Sequence, residues 1–174
     1  MSSDYRSRGL RRVFSLLTIA WMILIFSFSA ASADESSKMS LSVGKLAAER
    51  FVPEYRTWTK KEQEAFAERI DHPVRKTAHA AEYAVLGFLM LVSFAGMLFS
   101  GPKQRGRAAW ICSVLYAVTD EIHQLFVPGR SCQASDVLID GCGAAFGVLL
   151  GGMILRMLRA KNKILWTRTH LDEK

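Results

Sequence analysis

The chain has 174 residues, 50% of them hydrophobic and 22% charged, with a formal charge of +7. That length allows one domain, and the apolar content excludes a disordered chain. A basic balance of this size points to nucleic acid or to an anionic membrane surface, so the placement of the charges has to decide.

The apolar residues fall into four blocks. Val13 to Ala31 is 19 residues without a charge, preceded by Arg6, Arg8, Arg11 and Arg12. Ala31-Ser32-Ala33 resembles a signal-peptide cleavage site, but the apolar run exceeds the usual 7–15 residues, so an uncleaved first span is expected. Asp34 to Arg75 follows as a connection of 42 residues, too long to lack helices of its own. Thr59 and Glu62 form a T-x-x-E capping box. Ala65, Phe66 and Ile70 follow it at helical spacing, predicting a short helix on the outer membrane surface or a cap over the bundle. Pro73 suits a first helical turn, so the second span is expected to begin there.

The second block, Tyr83 to Pro102, is 20 residues without a charge, and its pattern extends back to Lys76. The third, Ala108 to Phe126, is interrupted by Asp120, Glu121 and His123. The fourth, Val137 to Leu155, is interrupted by Asp140 and carries Gly143, Gly147 and Gly151, a stripe for close helix packing. Each block is long enough to cross a bilayer. The expected fold is all-α: a four-transmembrane-helix bundle with helices near 13–31, 77–100, 108–126 and 136–156, an outer loop 34–75 and a tail 159–174. Lys103, Arg105 and Arg107 lie in the linker between blocks two and three, and Arg156, Arg159, Lys161, Lys163 and Arg168 in the tail. With the N-terminal arginines, these segments share one side. The positive-inside rule makes that side cytoplasmic, with both termini inside. The basic residues are thus juxtamembrane, and no nucleic-acid partner is indicated. Cys112, Cys132 and Cys142 have neither a disulfide framework nor zinc spacing; only a Cys132–Cys142 pair in an oxidising compartment stays open.

Charged groups inside a bilayer cost about 2.5–3.5 kcal/mol each on insertion scales, yet here they cluster. Lys76, His79, Glu82 and Tyr83 share one face of the second span, and Tyr116, Asp120, His123 and Gln124 one face of the third. Glu121 lies beside Asp120; Arg130 follows in a Val-Pro-Gly-Arg turn; Asp136 and Asp140 begin the fourth span. Glu82 and Asp120 each lie about 9 Å inward from their outer helix ends, and Asp140 about 6 Å. The carboxylates are expected to converge in an outward-facing pocket. Glu82, Asp120, Glu121 and His79 are the candidates for acid–base chemistry. Lys76, Tyr83, Tyr116, Gln124, Arg130, Asp136 and Asp140 are the candidates for binding, with Lys76 and Arg130 holding an anion. Arg130 could equally neutralise Asp136, and His123 could simply face the interface. Asp120–His123 and His79–Glu82 at i, i+3 match metal-site spacing in bundles, but Lys76 and Arg130 compete for the carboxylates, so no metal is assigned. No nucleotide or nucleophile motif occurs, and no cofactor is named.

Three motifs carry a resemblance. Lys76-x-x-His79-x-x-Glu82-Tyr83 is the first. Tyr116-x-x-x-Asp120-Glu121-x-x-Gln124-x-Phe126-x-Pro128-Gly129-Arg130 is the second. Asp136-x-x-x-Asp140-x-x-Gly143-x-x-x-Gly147 is the third. Together they resemble the VanZ-like family of bacterial integral membrane proteins, named after a protein associated with teicoplanin resistance. The resemblance runs from the Trp21–Ser29 stretch through the fourth block. Asp140 departs from it, since the family often has Asn there. The resemblance implies an inner-membrane protein of the cell envelope. The expected partners are the lipid bilayer and the anionic headgroup of a lipid or envelope precursor. A non-enzymatic binder, a small transport component, and a buried network that only sets helix register remain alternatives. An apolar cytoplasmic half weighs against transport.

Overall fold

The computed structural model describes residues 2–94 and 101–171, with side chains at residue 9, 11–94 and 101–161. All regular structure among these residues is helical. α1 is Ser2–Ser29, α2 Ala33–Phe51, α3 Lys60–Ser93, α4 Pro102–Gln124 and α5 Ala134–Leu171; one 3-10 turn covers Tyr55–Thr57.

The connection after the first span holds more helix than expected. Ser32 caps α2 in a reciprocal box with Glu35. Hydrogen bonds from the Ser32 backbone N–H and hydroxyl keep the Glu35 carboxyl below its ordinary pKa. The Thr59–Glu62 box forms and starts α3. The helix it starts is not short, and no helix begins at Pro73. α3 runs unbroken for 34 residues with Pro73 inside it. Pro73 removes one backbone donor, and the Thr77 hydroxyl donates to the Pro73 carbonyl at 2.8 Å. Residues 60–75 therefore extend the axis of the segment that follows them. α2 packs along this extension. Its small face, Ser36, Ser40, Gly44 and Ala48, is buried. Ser40 donates to Asp71, Arg75 pairs with Asp71 at 2.8 Å, and Gly44 faces Ile70.

α3 is the central helix, touching α1, α2, α4 and α5. Its tightest seam is with α5. Gly143 and Gly147 lie against the Ala80 and Ala84 carbonyls, and Gly87 lies reciprocally against Ala144. This is the close backbone approach that the glycine stripe predicts. α4 begins at Pro102, six residues before the expected 108, because proline needs no N–H partner in a first turn. α5 continues through the expected tail to Leu171. The expected end of the second span at 100 lies outside the described residues.

Among the described residues two stretches are long and apolar enough to cross a membrane, Arg11–Ser29 and Ala134–Lys161. α3 and α4 miss that measure because they carry the charged residues, but α4 is inverted in polarity. Ile111, Leu115, Ile122 and Leu125 are exposed, while Asp120 and Glu121 are 3% and 2% exposed.

Candidate functional site

The polar residues gather where the ends of α1 and α4, the starts of α2 and α5, and the middle of α3 meet. The Val127–Arg130 turn locks this junction. Gly129 adopts a positive φ of 74°, which glycine takes without strain. The Ala33 N–H donates to the Pro128 carbonyl at 3.2 Å. Arg130 does not neutralise Asp136. Its Nε donates to the Ala31 carbonyl at 3.2 Å and its Nη2 to the Phe28 carbonyl at 3.5 Å, so it caps the C-terminal end of α1. Burial pulls the Arg130 guanidinium pKa down and Arg75 adds to this; Asp120, Glu121 and Glu82 oppose it.

Asp136 is taken by Lys76 in a partly buried ion pair. His79 Nδ1 stands 3.9 Å from Asp140 Oδ1, too far for a hydrogen bond. Neither Asp140 oxygen has a hydrogen-bond partner, although the residue is 1% exposed. Asp120 Oδ2 accepts from the Ser29 hydroxyl at 2.6 Å, and Gln124 Nε2 donates to the same hydroxyl oxygen at 2.9 Å. Glu121 Oε2 accepts the Gln133 backbone N–H at 2.8 Å, just before α5 begins. Asp120 Oδ1, Glu121 Oε1 and the Tyr83 hydroxyl are buried without partners. The Tyr83 ring lies 6.3 Å from Tyr116, whose hydroxyl donates to the Met22 carbonyl at 2.6 Å. His123 stacks on Phe26 at 4.3 Å, on the α1 side.

The cluster therefore divides into two layers. A cleft of about 230 Å³ opens between α1, α2 and α3. Arg75, His79, Glu82 and Arg130 supply its charged groups; Phe28, Met39, Val43 and Val74 supply apolar walls. Asp120, Glu121, Asp140 and Tyr83 lie behind it, enclosed by the helices. Sequence spacing placed both layers in one pocket because it gives the face and depth of a residue, not what stands in front of it. It also missed Ser29, Arg75, Gln133 and the whole α2 wall. Two signals were available: the S-x-x-E pattern of Ser32 and Glu35, and small residues at i, i+4 from Ser36 to Ala48.

Among the described residues no three His, Cys, Asp or Glu side chains converge as a metal shell. Away from the cleft the bundle holds neutral polar links, such as Thr18 Oγ1 to Ser93 Oγ at 2.8 Å.

Ser29 is the joint between α1 and α4. Ser29→Ala is expected to remove the hydroxyl that Asp120 and Gln124 share. A cost of about 1–3 kcal/mol follows, readable as a lowered melting temperature of the detergent-solubilised protein.

The family model VanZ/LLP1 matches residues 14–156. That range takes in all but the first turns of α1 and the distal part of α5. No curated protein and no solved structure matches.

Proposed function

Because the chain belongs to the VanZ/LLP1 family, we propose that it is a cell-envelope protein of the bacterial inner membrane that crosses it four times with both termini inside. Two helices have the length and apolarity for this by themselves. α4 adds an apolar exterior over acidic side chains turned inward, the reverse of a soluble helix. α3 is sheltered by all four other helices. Arg105 and Arg107 in the first turns of α4 and the arginines of α5 lie at the end away from the cleft, in accord with the positive-inside rule.

The cleft at the outer end binds the anionic headgroup of a lipid or envelope precursor. The observation that carries this reading is the cleft lining. Two guanidiniums and an imidazole stand beside apolar walls on α1 and α2. Arg75 and Arg130 repel each other there, and an anion between them would relieve that repulsion. Arg75 Nε is a buried donor with no partner. Glu82 is the acid–base group best placed to touch a bound headgroup, with His79 beside it. A role in glycopeptide (teicoplanin-type) sensitivity would follow from handling an envelope precursor.

The test uses cells lacking the chain and complemented with Glu82→Gln, Asp120→Ala or Glu121→Ala. The variants are expected to match the uncomplemented strain in glycopeptide sensitivity and envelope-stress response at normal protein levels. Wild-type behaviour of all three would remove the reading.

One observation favours a second reading, in which the enclosed carboxylates set helix register. Glu121 pins the start of α5 through Gln133. On that reading the double variant Glu82→Gln, Asp120→Asn retains function whenever it folds.

A further inference from the structure

We propose that the opposite end of the bundle carries a second binding site, a seat for one anionic phospholipid. Arg105 of α4 with Arg156 and Arg159 of α5 holds its phosphate, and the neighbouring apolar wall takes its acyl chains. The site rests on the membrane-spanning reading but not on the outer cleft. Arg156 lies about 24 Å along α5 from Asp140.

A cleft of about 330 Å³ opens between the end of α3, the start of α4 and α5. Arg156 and Arg159 are spaced i, i+3 and share a face; Arg105 comes from α4, and all three line this cleft. Among the described residues no acidic side chain lines it, and none of the three arginines has an ion pair. Arg105 Nε is buried without a hydrogen-bond partner. Three cations gathered without an anion repel one another, and a bidentate acceptor such as phosphate removes that cost.

The start of α4 adds to the same field. Pro102 lines the cleft, and no side chain caps the helix behind it. A helix N-terminus without a capping side chain presents partial positive charge and free N–H groups. The other wall selects a lipid over a free anion. Leu91, Val148, Leu149 and Met153 line it, and Leu149 and Met153 are 72% and 54% exposed, so the wall runs on into the lipid-facing surface of α5. A phosphate in the cleft thus has its chains on an apolar path. Basic pockets between helices on the cytoplasmic side favour anionic headgroups.

Two variants test the seat by different means. Arg105→Gln, Arg156→Gln, Arg159→Gln removes the cations. Gly152→Leu keeps every charge and places a side chain on the cleft lining; a Cβ at Gly152 meets no atom within 4 Å, so the backbone need not move to admit it. The readout is native mass spectrometry of the full chain in detergent, titrated with phosphatidylglycerol or with zwitterionic phosphatidylcholine. The wild type is expected to retain phosphatidylglycerol in preference, and both variants to lose that preference by about tenfold or more. Lys38→Gln, Lys45→Gln, Lys60→Gln, the same charge change at the other end, is expected to keep it. Equal retention of both lipids by the wild type, undiminished preference in Gly152→Leu, or equal loss in the lysine variant would each overturn the proposal. Arg130→Gln separates the two sites. Lipid lost there but kept by the arginine triple variant and by Gly152→Leu would remove the inner seat and leave the outer cleft standing.

Discussion

Gly147→Leu is expected to keep the protein from accumulating in membranes, or to lower its stability by about 3 kcal/mol or more. A Cβ at Gly147 would overlap the Ala84 carbonyl oxygen and lie 2.7 Å from its carbon. Both are backbone atoms of α3, so no side chain can turn aside. α5 would have to move off α3, and the consequences spread. Gly143 against Ala80 and Ala144 against Gly87 belong to the same seam, and the Lys76–Asp136 ion pair bridges the same two helices. Without a hydrophobic drive between helices in lipid, this packing is the main cohesive force. Gly152→Leu is the matched control, since its Cβ enters open space. Membrane protein levels and thermal unfolding in detergent should separate the two variants. Equal behaviour would mean that the α3–α5 seam is not as close as it stands.

Asp140→Asn is expected to raise stability and to lower function together. Asp140 is 1% exposed, and neither oxygen is hydrogen-bonded. A group buried this way costs about 1–3 kcal/mol. Its surroundings are acidic, with Asp120, Glu121, Asp136 and Glu82 as charged neighbours. The amide keeps the shape, removes a potential negative charge and gains two donors for them. A rise in unfolding free energy of about 1–2 kcal/mol is therefore the expected result, seen as a higher melting temperature. A site that keeps a destabilising carboxylate does so for what it binds or moves, so glycopeptide and envelope-stress phenotypes should weaken in the same variant. If Asp140 instead holds the helices in register, Asn should lower the melting temperature. The sign of one thermal shift thus distinguishes a functional carboxylate from a structural one.

Much of the layout was legible before the tertiary structure. The Thr59–Glu62 box, the glycine stripe and the helical character of all four blocks depend on nearest neighbours along the chain, and spacing reports those directly. The helix limits were less legible. Pro73 reads locally as a start, but a proline inside a helix is tolerated where a neighbouring hydroxyl and packing partners compensate, and those partners are distant in sequence. α5 reads as ending near 156 because its apolar run ends there, whereas backbone hydrogen bonding continues while no breaker intervenes.

The sequence by itself determined that the chain is helical, that its charges gather at two levels, and that its motifs match one family. Helical period and charge position are properties of single segments. Only the tertiary structure decided which charges share a space. It gave Asp136 to Lys76 and turned Arg130 toward the end of α1. It brought Ser29 onto Asp120 and set α2 as a wall before His79 and Glu82. Each of these joins residues at least 50 positions apart or on different helices. The rotation of one helix against another is set by side-chain packing at the seam, above all by glycines against carbonyls, and no segment carries that information alone. The net excess behind the +7 charge lies near the N-terminus, at the start of α4 and along the end of α5. The groups on which the proposed function depends are a smaller set of mixed sign, assembled by the fold.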